Sequence, residues 1–346
     1  MLKEMNKIKI GVLAPAEIAF RRFLPALRSS DKFKYNGLAI ASADEWSTVV
    51  DDQVYASRLE RRKAKADKFC TSFGGKTFYS FEDLLMSDEI NAIYIPLPPG
   101  LHYRWAKLAL ECGKHVLLEK PFTTNLTNTK ELIQLAKKSN LALHENYAFC
   151  FHKQVKKIQQ ILDSGEIGEL RQIRVAFGFP YRGAEDFRYS KVLGGGALLD
   201  CAGYPVKLAS FLLGKTAKIV AASLKSAKGH DVDVFGSATL MNDDHITCQI
   251  AFGMDNLYKC ELEVWGSEGC IFAPRIFTPP VDMKPTIVIK KQVETVIETP
   301  MDDQFIGSVE HFYSCVADVS IRLETFEEIE RQGIIIDDIR TLCGKI

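Results

Sequence analysis

The sequence predicts a two-domain α/β protein: an N-terminal parallel, doubly wound sheet followed by an α+β domain built on a large, mostly antiparallel open sheet. Three observations predict it. Short apolar runs alternate with helical patterns up to residue 149, strand-like segments dominate beyond about residue 155, and 346 residues exceed one ordinary core.

In the first half, IKIGVL (8–13) is a β-branched run, and EIAFRRFLPALRSS behind it sets Ile18, Phe20, Phe23, Leu24 and Leu27 at helical spacing. YNGLAIAS (35–42) is a second strand. After an inserted loop, EWSTVVDDQVY, the segment SRLERRKAKADKFCTSFGG opens a charged helix at Ala56-Ser57-Arg58 and closes it on glycine; FEDLLMS (81–87) is another helix. NAIYIPLP (91–98) is a buried strand, HYRWAKLALECG a helix ending at Gly113, and KHVLLEKP a strand; TNTKELIQLAKKSN and LALHENYAF repeat the pattern. Parallel neighbours need crossover helices, so this alternation gives a Rossmann-type sheet over residues 1–146.

In the second half, LRQIRVAFGF, KIVAASLKS, VFGSATLMN, HITCQIAFG, KCELEVWGS and TIVIKKQVETVIET alternate apolar and polar residues, as strands of a sheet with one covered face do. A helix over 204–213 interrupts them, and EHFYSCVADVSIR is a helix expected to return to the first domain. Residues 147–346 thus form a second, α+β domain, and a broad open sheet suits it to oligomerisation, as a homodimer or homotetramer through its face.

Composition narrows the function classes. Hydrophobic residues make up 47% and charged residues 25%, as in a folded chain, and 44 basic residues balance 44 acidic ones, which gives no field to recruit nucleic acid or an acidic membrane. The nine cysteines include no CxxC pair, and no histidine set has zinc spacing, so neither a disulfide framework nor a metal is expected. No apolar run reaches the roughly 18 residues of a membrane span, and the N-terminus lacks a signal-peptide pattern. The expected location is cytoplasmic, and the expected partner is a small molecule.

Ligands of doubly wound sheets sit beyond the carboxyl ends of the strands, where APAEIA, PLPPGLH, EKP and ENYAF fall. The first turn departs from Gly-x-Gly-x-x-Gly: Gly11 is followed by Ala14, Pro15, Ala16 and Ile18. Alanine disfavours positive φ and proline removes a donor, so the turn alone is equally compatible with an ordinary strand-to-helix connection.

The chain resembles the Gfo/Idh/MocA oxidoreductases, and among them the bacterial NDP-hexose 3-ketoreductases of deoxysugar biosynthesis. The resemblance rests on IAFRRFLPAL, YIPLPPGLHYRWAKLAL, GKHVLLEKPFTT, HENYAFCFHKQ and DFRYSKVLGGGALLDCAGYP, in that order along the chain. It implies a nicotinamide cofactor on the first domain, near Gly11, Ala14, Ala16, Ile18, Leu97, Pro98, His102, Glu119 and Lys120. It also implies a cis bond before Pro121 and a nucleotide-linked, dTDP-type 3-keto sugar on the second domain. Ser42 with Arg58 or Arg61 suits the 2′-phosphate of NADP, which is favoured; Asp44 or Asp51 suits NAD, the alternative.

Reducing a ketone needs a hydride and a proton donor within reach of the developing alkoxide. Lys120 is one candidate, its charge stabilising the oxyanion and partial burial bringing its pKa down; Tyr204 is the other. The resemblance assigns the proton to Tyr204 and gives Lys120 the orienting role. Asp200 and Tyr204, four apart, would share a helix face, and Asp200 either binds a sugar hydroxyl or caps the helix, with a local backbone change expected near Ala202 and Gly203. Glu119 either contacts the nicotinamide ribose or pairs with Lys120 or Lys114. Tyr147, His152, Tyr181, Arg188 and Tyr189 fall near the expected sugar site, Arg188 being suited to a phosphate. Two other functions fit the same residues: a dehydrogenase of a free sugar, inositol or dihydrodiol, and a non-catalytic cofactor or sugar sensor.

Overall fold

The structure, a computed structural model, describes residues 7–45, 52–183, 185–226 and 229–344. The chain divides into two compact units: Met1–Thr123, Thr127–Asn146 and Ser308–Ile329 in one, Thr124–Leu126, Tyr147–Gly307 and Glu330–Ile346 in the other.

The first unit holds six strands, β1 (Ile8–Leu13), β2 (Phe33–Ala39), β3 (Lys76–Phe78), β4 (Ala92–Ile95), β5 (His115–Leu118) and β6 (Leu143–Glu145). Their spatial order is β3-β2-β1-β4-β5-β6, all parallel. The order reverses between β1 and β4, which opens the crevice that dinucleotide-binding sheets use. β4 is buried on both faces, as a central parallel strand requires. Helices His102–Glu111 and Leu126–Ser139 pack Trp105, Ala109, Leu132 and Ile133 onto the sheet, with Phe326 from the C-terminal region in the same core.

Two features of this unit differ from expectation. The short strand β3 has no alternating pattern to announce it. The long charged helix runs Asp52–Phe73, so Ala56-Ser57-Arg58 lies inside it rather than at its opening. No proline or glycine separates Asp52 from Arg58, and an acidic residue suits a helix N-terminus.

The second unit holds eight strands: β7 (Leu170–Gly178), β8 (Lys218–Ser226), β9 (Asp233–Met241), β10 (Thr247–Gly253), β11 (Lys259–Gly266), β12 (Cys270–Ala273), β13 (Thr286–Lys290) and β14 (Glu294–Glu298). They order as β14-β13-β12-β11-β7-β10-β9-β8, and only the β7–β10 pair is parallel. The run 286–299, expected as one strand, is the hairpin β13–β14, and β12 was not expected. One face is buried with helices Lys153–Asp163 and Gly203–Leu213 through Val155, Ile158, Val206, Leu208, Val175, Ile250 and Val264. The other face shows Ala221, Ser223, Ser237 and Ala251 to the outside.

Candidate active site

In the first unit, the chain turns at the carboxyl end of β1 through Ala14 at φ 77°, the left-handed conformation usually given to glycine. Ala14 N donates to Ala39 O at 3.1 Å and Ala16 N to Ala14 O at 2.9 Å, and these bonds hold the turn in that shape. The helical stretch 17–28 begins immediately, with a π-helical segment Ala19–Phe23 before the α-helical Leu24–Arg28. The turn thus takes its left-handed bend at an alanine, where a dinucleotide motif ordinarily has glycine. Ala14, Ala16 and Ile18 are partly exposed there, whereas Gly11 is buried against Leu84.

At the end of β2, the buried Glu45 carboxylate accepts hydrogen bonds from Ser42 N, Ser80 Oγ, Phe81 N and Glu82 N at 2.7–2.9 Å. Burial pushes its pKa up, but these four donors overcome burial and hold it below the usual carboxylate value. Glu45 therefore ties the segment bearing Ser42 to the start of helix Phe81–Met86. Asp44 and Arg58 are exposed; Asp51 lies outside the described residues.

Around β4 and β5 the expected residues divide. The Lys120–Pro121 bond is cis. Glu119 Oε1 accepts from Tyr94 Oη at 2.6 Å and from Asn146 Nδ2 at 2.5 Å. Burial raises the Glu119 pKa, while those two hydrogen bonds and the Lys120 ammonium pull it down. Lys114 is not its partner, because Lys114 Nζ donates to Ser87 O and Ile90 O, both at 2.8 Å. Glu145, on β6, accepts from Phe122 N at 2.8 Å, which steadies the turn that presents Lys120.

His102 requires a correction. Expected over the cofactor, it is 0% exposed, with Nδ1 2.9 Å from Pro121 O and Nε2 2.7 Å from Leu97 O. Burial brings its pKa down to about 4 against the opposing pull of the two carbonyls, and the ring sits wedged between the loop after β4 and the cis turn. Leu97 and Pro98 remain partly exposed on that loop.

In the second unit, Gly196 at φ 113° starts a short helix, Ala197–Asp200, and the backbone breaks at Cys201–Ala202 before helix Gly203–Leu213. Asp200 and Tyr204 therefore lie on two helical segments and not on one face of a single helix. Tyr204 is partly exposed, its ring among those of Tyr147, Phe149, Phe177 and Phe277 at centroid distances of 4.8–5.9 Å. Tyr147 is 1% exposed, so it contacts Tyr204 edge-on and supports it rather than meeting a ligand. A Cβ on Gly203 would stand 1.8 Å from the Tyr147 hydroxyl, so only glycine admits this approach.

Arg188 is engaged by protein carboxylates. Its Nε donates to Asp200 Oδ2 at 2.8 Å and its Nη1 to Asp186 Oδ1 at 3.0 Å, with Phe187 and Phe179 beside the guanidinium. Arg188, expected at a phosphate, and Asp200, expected at a sugar hydroxyl or as a helix cap, are paired with each other, Asp200 buried and the guanidinium partly exposed. His152 accepts from Gln154 N at 3.0 Å and caps helix Lys153–Asp163, and Tyr189 Oη donates to Met254 O at 2.8 Å. Both are structural. Tyr181 is 47% exposed and open to a ligand.

Comparison with known proteins agrees with the two-sheet architecture. Residues 37–147 match the oxidoreductase family NAD-binding Rossmann fold, and residues 155–272 the GFO/IDH/MocA C-terminal domain. The dTDP-3,4-didehydro-2,6-dideoxy-alpha-D-glucose 3-reductase of Actinomadura kijaniata is 35% identical over 97% of this chain and 96% of its own.

This chain belongs to the Gfo/Idh/MocA oxidoreductase family.

The Saccharopolyspora spinosa enzyme of the same name is 36% identical over 96% of each chain. A Haloferax volcanii D-xylose 1-dehydrogenase (NADP(+)) is 30% identical over 71% of this chain and 69% of its own. Among solved structures, KijD10, a 3-ketoreductase from Actinomadura kijaniata in complex with NADP and TDP-benzene, superposes with a TM-score of 0.87 at 35% identity, covering 98% of both chains.

Sequence reading missed Glu45, Tyr94 and Asn146. Glu45 carries a signal, a glutamate three residues after Ser42, as in a capping box. Tyr94 and Asn146 carry none, because their roles arise where separate strands end side by side.

Proposed function

We propose that this chain reduces the keto group of a nucleotide-linked, dTDP-type 3-keto-deoxysugar with NADPH. The observation that carries the reading is its end-to-end likeness to 3-reductases of that substrate class. The residues of the first unit fit the cofactor: the sheet reverses its strand order between β1 and β4, and Ala14 gives the phosphate turn its left-handed bend. Bound NADPH supplies the hydride. Ser42 and Arg58 hold the 2′-phosphate; the NADP complex of KijD10 and the NADP(+) specificity of the related xylose dehydrogenase support that preference.

Tyr204 gives its phenol proton to the oxygen that becomes the alcohol. Lys120 orients the sugar and stabilises the alkoxide charge before the proton arrives. Glu119, held by Tyr94 and Asn146, keeps a carboxylate beside that lysine. Arg188 holds Asp200 at the end of the short helix that precedes the helix bearing Tyr204. Two copies pair through the open face of the eight-stranded sheet, where small side chains allow close approach. Nine free thiols suit a reducing, cytoplasmic setting.

The likeness to a D-xylose dehydrogenase favours oxidation of a free sugar as the second reading. NADPH consumption with a dTDP-linked 3-keto sugar, against NADP reduction with free aldoses, separates the two. The reading stands if nucleotide-sugar reduction is faster by orders of magnitude and fails if free-sugar oxidation is.

A further inference from the structure

Three side chains that the sequence holds far apart meet in the first unit. His144 on β6, and His311 and Cys315 one turn apart on helix Gln304–Ala317, each bring one ligand atom, and these lie within 4.8 Å of one another. His144 and Cys315 are buried and His311 is partly exposed.

The hydrogens in this cluster can be assigned. Ser308 Oγ gives its single proton to Asn146 Oδ1 at 2.7 Å, so His144 Nε2, 2.9 Å from the same oxygen, is the N–H donor and Nδ1 carries the lone pair. Asn146 is itself oriented by the bond from its Nδ2 to Glu119. Thr325 Oγ1 gives its proton to Ile321 O at 2.8 Å, so His311 Nε2 at 3.1 Å and the Cys315 thiol at 3.3 Å both point their hydrogens at that one oxygen.

Each feature suits a borderline-soft cation. Two imidazoles and a sulfur, with no carboxylate among them, favour zinc over the hard oxygen-seeking ions. A histidine ligand is ordinarily oriented by a hydrogen bond from its other ring nitrogen, as Ser308 orients His144. A tetrahedral zinc sets nitrogen and sulfur ligands about 3.3–3.6 Å apart, so ligand atoms that lie within 4.8 Å of one another need to close by at most about 1.5 Å.

We propose that His144, His311 and Cys315 bind a divalent zinc-class ion. The thiol proton leaves to solvent as the sulfur–metal bond forms, and water takes the fourth position on the exposed His311 side.

Cobalt(II) titration of the chelator-treated full chain, followed by absorbance, tests this. One equivalent is expected to bind with a thiolate-to-cobalt charge-transfer band that added Zn2+ abolishes. Cys315→Ser, which leaves the other eight cysteines in place, should lose the band. His311→Gln, a change at a partly exposed position, should keep the native circular dichroism and weaken cobalt binding at least about tenfold. Cobalt binding without a thiolate band, or a band of unchanged affinity in His311→Gln or unchanged intensity in Cys315→Ser, would overturn the proposal.

Discussion

The side-chain amide of Asn146 donates to the carboxylate of Glu119 at 2.5 Å and joins the end of β6 to the end of β5 one residue before Lys120. Ser308 fixes the other end of the amide at 2.7 Å. Asn146→Ala should therefore cost about 1–3 kcal/mol, since it strands Ser308 and one bond of a partly buried carboxylate. It should also raise the Glu119 pKa further, because the lost amide favours the charged form. Urea denaturation measures the first effect, and a loss below about 0.5 kcal/mol would refute the coupling.

Glu45 supplies a pH prediction. Its folded pKa lies below the ordinary value of 4.5, so the unfolded chain binds the proton more tightly. Its stabilisation is present above pH 4.5 and is lost as pH falls through the folded pKa. Glu45→Gln should lower stability at pH 7 by about 1–3 kcal/mol and flatten the decline of stability below pH 4.5. Thermal midpoints measured from pH 3 to 7 would show it; parallel curves for both proteins would contradict it.

At Ala14 the expected effect has the opposite sign. An alanine at φ 77° is strained by about 1 kcal/mol, and glycine relieves the strain at some cost in unfolded-chain entropy. Ala14→Gly should leave the protein unchanged or up to about 1 kcal/mol more stable. Calorimetry checks this, and a clear destabilisation would mean that the methyl group packs productively.

Gly203→Ala inserts a carbon 1.8 Å from the Tyr147 hydroxyl and must displace that ring or the helix start. Overpacking of this kind costs about 1–3 kcal/mol. Because Tyr147 lies edge-on to Tyr204, turnover should fall by more than the fraction unfolded explains. Activity normalised to the folded fraction separates the two effects.

The layered fold was legible because parallel strands with crossover helices and half-covered antiparallel strands leave different periodicities. The strands β3 and β12, of three and four residues, are too short to show a period. Lys120, Tyr204 and the cis Pro121 came from motif resemblance. What spacing could not show is which polar groups the protein keeps for itself. His102 is enclosed between two backbone carbonyls, and Arg188 donates to Asp186 and Asp200. Both look like ligand-binding residues until the turns around them supply partners 2 to 19 residues away along the chain.

Turnover with NADPH carrying deuterium at the transferable C4 position tests the central claim most directly. The account predicts one deuterium at C3 of the nucleotide-linked sugar, with turnover lost by about a hundredfold or more in Tyr204→Phe. A product without deuterium at C3, or a Tyr204→Phe enzyme that transfers it at nearly the native rate, would contradict it.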